Sequence, residues 1–272
     1  MQLEINNKKF SFAELANLKR TLNNARLSEY EKKTLEFCEQ WLSGKESFII
    51  QTSGSTGIPK QITVTRKQMT TSALLTAQAL SLQKGYKAFI CLSTEHIAGI
   101  MMLVRSFIVG MNITIITPKS NPLEDFNNEI NFDFTAIVPL QLTEIFDKSP
   151  QKIEILDKMK AIIIGGAEIN QFLEKKIQLI KTPVYATYGM TETISHIALK
   201  RLNGNEKQEY YQSFPGTIIG QDERGCLTVK SKVTNDRVII TNDIVELIAH
   251  DKFFWKGRMD NVINSGGYKI QV

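Results

Sequence analysis

At 272 residues the chain is long enough for one large or two medium domains with a real core, and 42% hydrophobic against 22% charged residues excludes a disordered chain. A net charge of +5 suits anionic ligands, but there is no dense basic run with interleaved aromatics, which argues against a nucleic-acid partner. Cys38, Cys91 and Cys226 are odd in number, far apart and without metal-ligand spacing, so they are expected to be reduced thiols in a cytoplasm rather than a disulfide frame or zinc site. The longest greasy run, Ile97 to Val104, is closed by Arg105, so no membrane span is expected.

In chain order, residues 1–45 read as a short opening strand and two helices, the second opened by a capping box in which Ser28 precedes Glu31 by three. Phe48 to Ile50 is a short apolar strand, and Ile62 to Thr65 alternates like a second one. Beyond them, Phe89–Leu92, Ile113–Ile116, Thr135–Val138 and Ala161–Ile164 are β-branched, nearly all-apolar runs. Amphipathic stretches at 67–82, 97–109, 140–148 and 170–180 predict helices between them. This alternation predicts an α/β fold with a mostly parallel sheet covered by helices on both faces, and ligands then bind beyond the carboxyl ends of the strands. From about Ile197 the pattern changes to short alternating segments broken by Gly and charged turns, which predicts a small antiparallel, barrel-like subdomain over about 197–257.

Between the first two strands of that series lies Thr52-Ser53-Gly54-Ser55-Thr56-Gly57-Ile58-Pro59-Lys60. Two glycines permit close backbone approach, four hydroxyls supply donors and Lys60 adds a point charge, the composition of a phosphate grip. The Gly54-to-Lys60 spacing matches a Walker loop. However, Pro59 stands at the second glycine, Gln61 replaces the magnesium-binding hydroxyl, and a strand rather than a helix is expected to follow, so a Walker NTPase is excluded. Gly165-Gly166-Ala167 follows a strand end, where a flat ring could lie against bare backbone. Tyr188-Gly189-Met190-Thr191-Glu192-Thr193 follows the next strand and offers a ring to stack on a base, a hydroxyl for a phosphate oxygen and a carboxylate for magnesium. Thr241-Asn242-Asp243 and Gly257-Arg258-Met259-Asp260 come later.

In this order the segments resemble the adenylate-forming superfamily of acyl- and aryl-CoA ligases, adenylation domains and luciferases, over roughly residues 48–272. The resemblance implies the large N-terminal domain of that fold over 1–257, and the hinge and start of a further domain over 258–272. It implies that residues 52–57 and Lys60 hold the β- and γ-phosphates of ATP. Gly165, Gly166, Ala167, Tyr188 and Gly189 then surround the adenine, Thr191 meets the α-phosphate, Glu192 holds Mg²⁺, Asp243 accepts the ribose hydroxyls, Arg258 contacts ribose or phosphate and Asp260 is the hinge. Asn242 replaces the family's usual glycine, where its tolerance of a left-handed backbone would serve.

Ser93-Thr94-Glu95-His96-Ile97-Ala98-Gly99 sits at the family's acyl-gate position, which makes His96 a catalytic and substrate-side candidate. Arg105 lies nine residues on, about 900° around a helix, so the two do not share a face and His96 acts from the preceding loop. An arginine inside Met101-Met102-Leu103-Val104-Arg105-Ser106-Phe107 costs desolvation unless an anion meets it or it snorkels to a surface. His-x-x-Gly with this basic residue, and Ser195-His196 after Gly-Met-Thr-Glu-Thr, are similar to the o-succinylbenzoate-CoA ligase branch of the superfamily, which serves menaquinone biosynthesis. That branch implies Arg105 and Ser195 on the substrate, a carboxylic acid activated as acyl-AMP, and CoA as co-substrate. Two departures go with it: about fifty residues precede the phosphate loop where the family commonly has over a hundred, and the C-terminal domain with its catalytic lysine is expected to be absent beyond Val272. An alternative reading is a nucleotide- or acyl-adenylate-binding protein with weak catalysis. Pattern alone leaves the oligomeric state open.

Overall fold

The structure, a computed structural model, describes residues 2–17, 27–52, 60–259, 262–265 and 268–271. Its centre is a 13-stranded sheet whose first half is parallel. The chain opens with a hairpin, β1 (Gln2–Ile5) and β2 (Lys8–Ser11), where a single strand was expected, because Asn6 and Asn7 adopt positive φ and close a two-residue turn. A short helix α1 (Phe12–Ala16) follows, and α2 (Glu29–Leu42) starts at the expected capping box, with Ser28 accepting from the Glu31 amide and Glu31 accepting from the Ser28 amide. β3 (Ser47–Thr52) and β4 (Lys60–Thr65) form a separate two-stranded antiparallel sheet in which Thr52 pairs with Lys60. The expected phosphate loop joins these two ends.

Helix α3 (Arg66–Ala79), β5 (Lys87–Ile90), α4 (Ile97–Val109), β6 (Asn112–Ile115), β7 (Phe134–Ile137), α5 (Pro139–Lys148), α6 (Ile153–Leu156), β8 (Ala161–Ile164), α7 (Gln171–Ile177) and β9 (Val184–Gly189) complete the parallel half. β1, β6, β5, β7, β8 and β9 lie side by side in that order, all parallel. Alternate residues serve opposite faces. Ala88, Ile90, Phe134, Ala136, Ala161 and Ile163 pack toward Leu35, Cys38, Met102 and Leu103 of α2 and α4. Phe89, Cys91, Ile137, Ile162 and Ile164 pack toward Leu142, Ile145, Leu173 and Ile177 of α5 and α7. Two-sided coverage is why these strands carry almost no polar residue, and each fully buried aliphatic side chain contributes about 1.5–3 kcal/mol.

After β9 the sheet continues antiparallel through β10 (His196–Arg201), β11 (Tyr211–Ser213), β15 (Lys252–Arg258), β14 (Val238–Ala249), β13 (Cys226–Lys230) and β12 (Ile218–Gln221). The β-rich region is therefore joined edge to edge to the parallel half. It packs on the opposite flank of α3 and α4, where Met69, Ala73, Met101 and Val104 meet Ile197, Val229, Val245 and Phe253. Helix α4 thus lies between two cores. β16 (Val262–Ser265) and β17 (Tyr268–Gln271) form a final hairpin. Among the described residues no helix is long and apolar enough to cross a membrane. All three cysteines are free and buried, and burial pushes the Cys91 thiol up to about 12.

Candidate active site

Two polar clusters meet the end of β9. The first is built around Asp243, in the middle of β14 and paired in register with Arg258 of β15. Its carboxylate accepts from the Tyr188 hydroxyl at 2.7 Å on Oδ2 and from the Trp255 indole N–H at 3.2 Å on Oδ1, and Arg258 Nη1 lies 3.5 Å from Oδ1. The Asp243 amide donates to Thr241 Oγ1 at 3.1 Å, which fixes the backbone behind the carboxylate. Asn242 does not use a left-handed backbone. It runs extended inside β14, and its Oδ1 accepts from Arg224 Nη1 at 3.3 Å, so a side-chain bond replaces the expected conformational freedom. The Tyr188 ring stands edge-on to Phe253 and Tyr211, and burial together with the Asp243 charge pushes its phenol well above the ordinary range.

The second cluster surrounds Arg105, which does not snorkel: it is 1% exposed, on a helix whose neighbouring turns are buried and apolar. Its Nη2 donates to Ser195 Oγ at 2.7 Å and approaches His196 Nδ1 at 3.4 Å, while the buried Nε has no partner among the described residues. No carboxylate pairs with it among the described residues. Burial pulls Arg105 down to about 9, so the group is still charged at neutral pH and its charge is uncompensated. His196 is held from behind by Thr76 of α3, Nε2 to Oγ1, at 3.0 Å. Burial first, and the Arg105 charge second, hold the imidazole well below its ordinary range, so it is neutral.

One strained segment joins the clusters. Thr191, half-buried, and Glu192, exposed, lie on a single 3₁₀ turn over Thr191–Thr193. Ile194 then has φ 67° and ψ −43°, and the Ser195 amide donates to the Thr193 carbonyl at 2.7 Å, a γ-turn of the positive-φ kind that costs a β-branched residue about 1–3 kcal/mol. Thr193 Oγ1 braces it by donating toward the Ser195 and Met190 carbonyls. The turn folds Ser195 and His196 back over β9, where a Cβ on Gly189 would lie 2.2 Å from the Ser195 carbonyl oxygen. That contact is the physical reason for glycine after Tyr188.

The remaining expected residues fall as follows. Gly165, Gly166 and Ala167 follow β8, beside the end of β9, where Thr187 Oγ1 donates to the Ile164 carbonyl at 3.1 Å. His96 is the N-cap residue of α4, exposed, and its side chain makes no capping bond, so it stands apart from buried Arg105 as the helical spacing requires. Gly99 lets the loop before α4 lie on its first turn, since a Cβ there would meet the Ser93 carbonyl oxygen at 2.2 Å. Ser53, Gly54, Ser55, Thr56, Gly57 and Asp260 lie outside the described residues, and Thr52 and Lys60 are placed by backbone only. Thr76 and Trp255 escaped the motif reading, and His196 entered it as part of the Ser195-His196 pair without a role of its own. Among the described residues no three His, Cys, Asp or Glu side chains converge as metal ligands. A single exposed carboxylate such as Glu192 nevertheless suits Mg²⁺, which takes most of its ligands from phosphate and water.

The sequence pattern of the AMP-binding enzymes matches residues 11–223. The chain belongs to the AMP-binding enzyme family. A 2-succinylbenzoate–CoA ligase of Lactococcus lactis is 26% identical over 183 residues, which are 62% of this chain and 40% of that protein. The chain therefore spans well under half the length of that curated relative. The acyl-CoA synthetase (AMP-forming)/AMP-acid ligase II-like protein of Dyadobacter fermentans superposes with a TM-score of 0.81 at 45% identity, covering 94% of this chain and 72% of that one. The o-succinylbenzoate coenzyme A synthetase MenE of Bacillus subtilis, in complex with ATP and magnesium, shares the fold with a TM-score of 0.64 at 20% identity, over 96% of this chain and 65% of that one.

Proposed function

We propose that this AMP-binding family member is the acid-activating part of an AMP-forming acid–CoA ligase whose acid is o-succinylbenzoate, in a cytoplasmic, menaquinone-forming setting. The observation that carries the choice of acid is Arg105: a buried guanidinium with an unpaired Nε–H and no counter-charge among the described residues, beside Ser195, calls for a ligand that brings a carboxylate of its own. An acid with two carboxylates leaves one for Arg105 and one for chemistry. The names of the curated relatives support the same acid.

In this reading the free carboxylate attacks the α-phosphorus of ATP, forming acyl-AMP and releasing pyrophosphate, and the CoA thiol then displaces AMP. Residues 52–57 and Lys60 hold the β- and γ-phosphates. Gly165, Gly166, Ala167, Tyr188 and Gly189 shape the adenine site, and Asp243 and Arg258 take the ribose. Thr191 meets the α-phosphate and His96 closes the acid's entrance. Mg²⁺, held by Glu192 and phosphate oxygens, would neutralise phosphate charge. Catalysis is mainly positioning and electrostatics, and no covalent enzyme intermediate is needed. A rotation about Asp260 between the two steps belongs to this proposal. A screen of aromatic and aliphatic acids for ATP–pyrophosphate exchange tests it. Exchange that depends on o-succinylbenzoate is expected; exchange with monocarboxylic acids alone would overturn the assignment, and adenylate binding without exchange would favour the weakly catalytic alternative.

A further inference from the structure

The guanidinium of Arg105 can only donate, and this orders the protons around it. Arg105 Nη2 has two hydrogens; one goes to Ser195 Oγ at 2.7 Å and the other faces His196 Nδ1 at 3.4 Å. Ser195 Oγ, already accepting, lies 3.3 Å from the same Nδ1 and has its own hydrogen to give. Nδ1 facing Nη2 therefore carries the lone pair, which the Ser195 hydroxyl can share. The ring proton is then on Nε2 and donates to Thr76 Oγ1, and the Thr76 hydroxyl passes its hydrogen to the Ser72 carbonyl at 3.1 Å. The chain of donors closes, and among the described residues it leaves the buried Nε of Arg105 without a partner.

We propose that His196, held as its Nε2–H tautomer by Thr76, is a positioning residue for acid specificity: it fixes Nη2 of Arg105 so that the unpartnered Nε–H is presented to the acid's second carboxylate. The inference rests on Arg105 being the acid-binding cation. His196 acts through Arg105. Thr76 is one step further back, on a different helix from Arg105 and buried at 0% exposure. The arrangement draws on α3, α4 and the start of β10, which explains why a histidine occupies an apolar strand position between Ile194 and Ile197.

The test combines a proton assignment with a split between two affinities. In the full chain, ¹⁵N-resolved spectra of His196 are expected to place the proton on Nε2, and Thr76→Val, which keeps shape but removes the acceptor, should shift it toward Nδ1. A wild-type proton on Nδ1 would overturn the relay whatever the acid. By calorimetry His196→Leu should weaken o-succinylbenzoate by about tenfold, within what losing one hydrogen bond to a buried charge allows, and leave ATP within about twofold. Thr76→Val should follow the same split with a smaller loss, and His196→Asn, whose Oδ1 can stand where Nδ1 does, should recover most of the acid affinity. A purely structural histidine would lower acid and ATP affinity together, and Asn would not rescue it. If Arg105→Leu leaves the acid unaffected, the acid-binding reading falls and this inference with it. If Arg105→Leu weakens the acid while His196→Leu and Thr76→Val do not, the relay alone falls.

Discussion

The cluster at Asp243 and the cluster at Arg105 each bury a charge, but they treat it differently. Asp243 has its counter-charge in place, Arg258 at 3.5 Å across the β14–β15 ladder, with Tyr188 and Trp255 donating as well. Among the described residues Arg105 has only neutral partners. A ribose brings neutral hydroxyls, so a site for it is completed without importing charge, and a carboxylate with about four lone-pair positions still has room to accept. A carboxylic acid brings a negative charge, so a site for it is stable only in part until the acid arrives. The Asp243 cluster carries its counter-charge within the fold, and the Arg105 cluster has none among the described residues.

The largest effect is expected from removing the uncompensated charge. Arg105→Leu should weaken o-succinylbenzoate by roughly ten- to a hundredfold, as for a buried charged hydrogen bond, with monocarboxylic analogues and ATP less affected. It should also make the protein more stable, by about 1–4 kcal/mol, the range for exchanging buried charge for packed apolar volume. The sign is consistent with burial lowering Arg105 to about 9: the unfolded chain holds that proton more readily, so at neutral pH the charge costs stability. Denaturant titration beside acid binding checks both halves, and an unstable Arg105→Leu would place the compensation of this charge inside the fold.

Asp243→Asn is the counter-experiment. It removes a counter-charge already present and leaves Arg258 facing an amide, so stability should fall rather than rise. ATP should weaken by about tenfold, because an amide accepts with one oxygen only, while the acid is unchanged. Equal use of a 2′-deoxy nucleotide by the unaltered protein would remove Asp243 from the ribose.

How much of this was legible beforehand follows from what each residue does. The parallel strands were legible because two-sided burial leaves an apolar run that only a covered strand explains, as in Ala161–Ile164. The ribose cluster was half legible: Asp243 and Arg258 sit in short motifs whose order is informative, but Trp255 looks like any aromatic of an alternating strand until β14 and β15 are paired. The Arg105 cluster was legible at Arg105, since a charge in an apolar helix is conspicuous by cost, and at Ser195, through the motif that ends in Ser195-His196. Thr76 and His196 are 120 residues apart, and no local pattern signals a contact made by packing a helix on a bulged strand. The hairpin at the N-terminus was missed because its turn is made by two asparagines in positive φ rather than by glycine.

Acid sharpens the comparison through His196. Its folded-state value is depressed below 6.5 by burial and by Arg105, the charged group that faces it. The unfolded chain therefore binds a proton the folded chain refuses, and stability falls as pH drops below 6.5, by up to about 1.4 kcal/mol per unit, with none of this loss above it. His196→Asn should flatten that slope in denaturant titrations at about pH 7 and about pH 5.5, whereas Asp243→Asn should not.

The smallest expected effect concerns Trp255. Its indole N–H donates to Asp243 Oδ1 at 3.2 Å, the same oxygen that Arg258 approaches. Removing it with Trp255→Phe keeps a ring in the strand and deletes one neutral donor, and a bond of that kind contributes about 0.5–1.5 kcal/mol. The carboxylate would keep Tyr188 on Oδ2 and Arg258 on Oδ1, so no charge is orphaned and the fold should hold. ATP affinity should fall by about two- to fivefold through looser orientation of Asp243, with acid affinity untouched. A loss as large as that of Asp243→Asn would mean that Trp255 itself touches the nucleotide. No loss at all would mean that the Tyr188 and Arg258 contacts suffice to aim the carboxylate, and that the nucleotide cluster is over-determined where the acid cluster has no partner to spare.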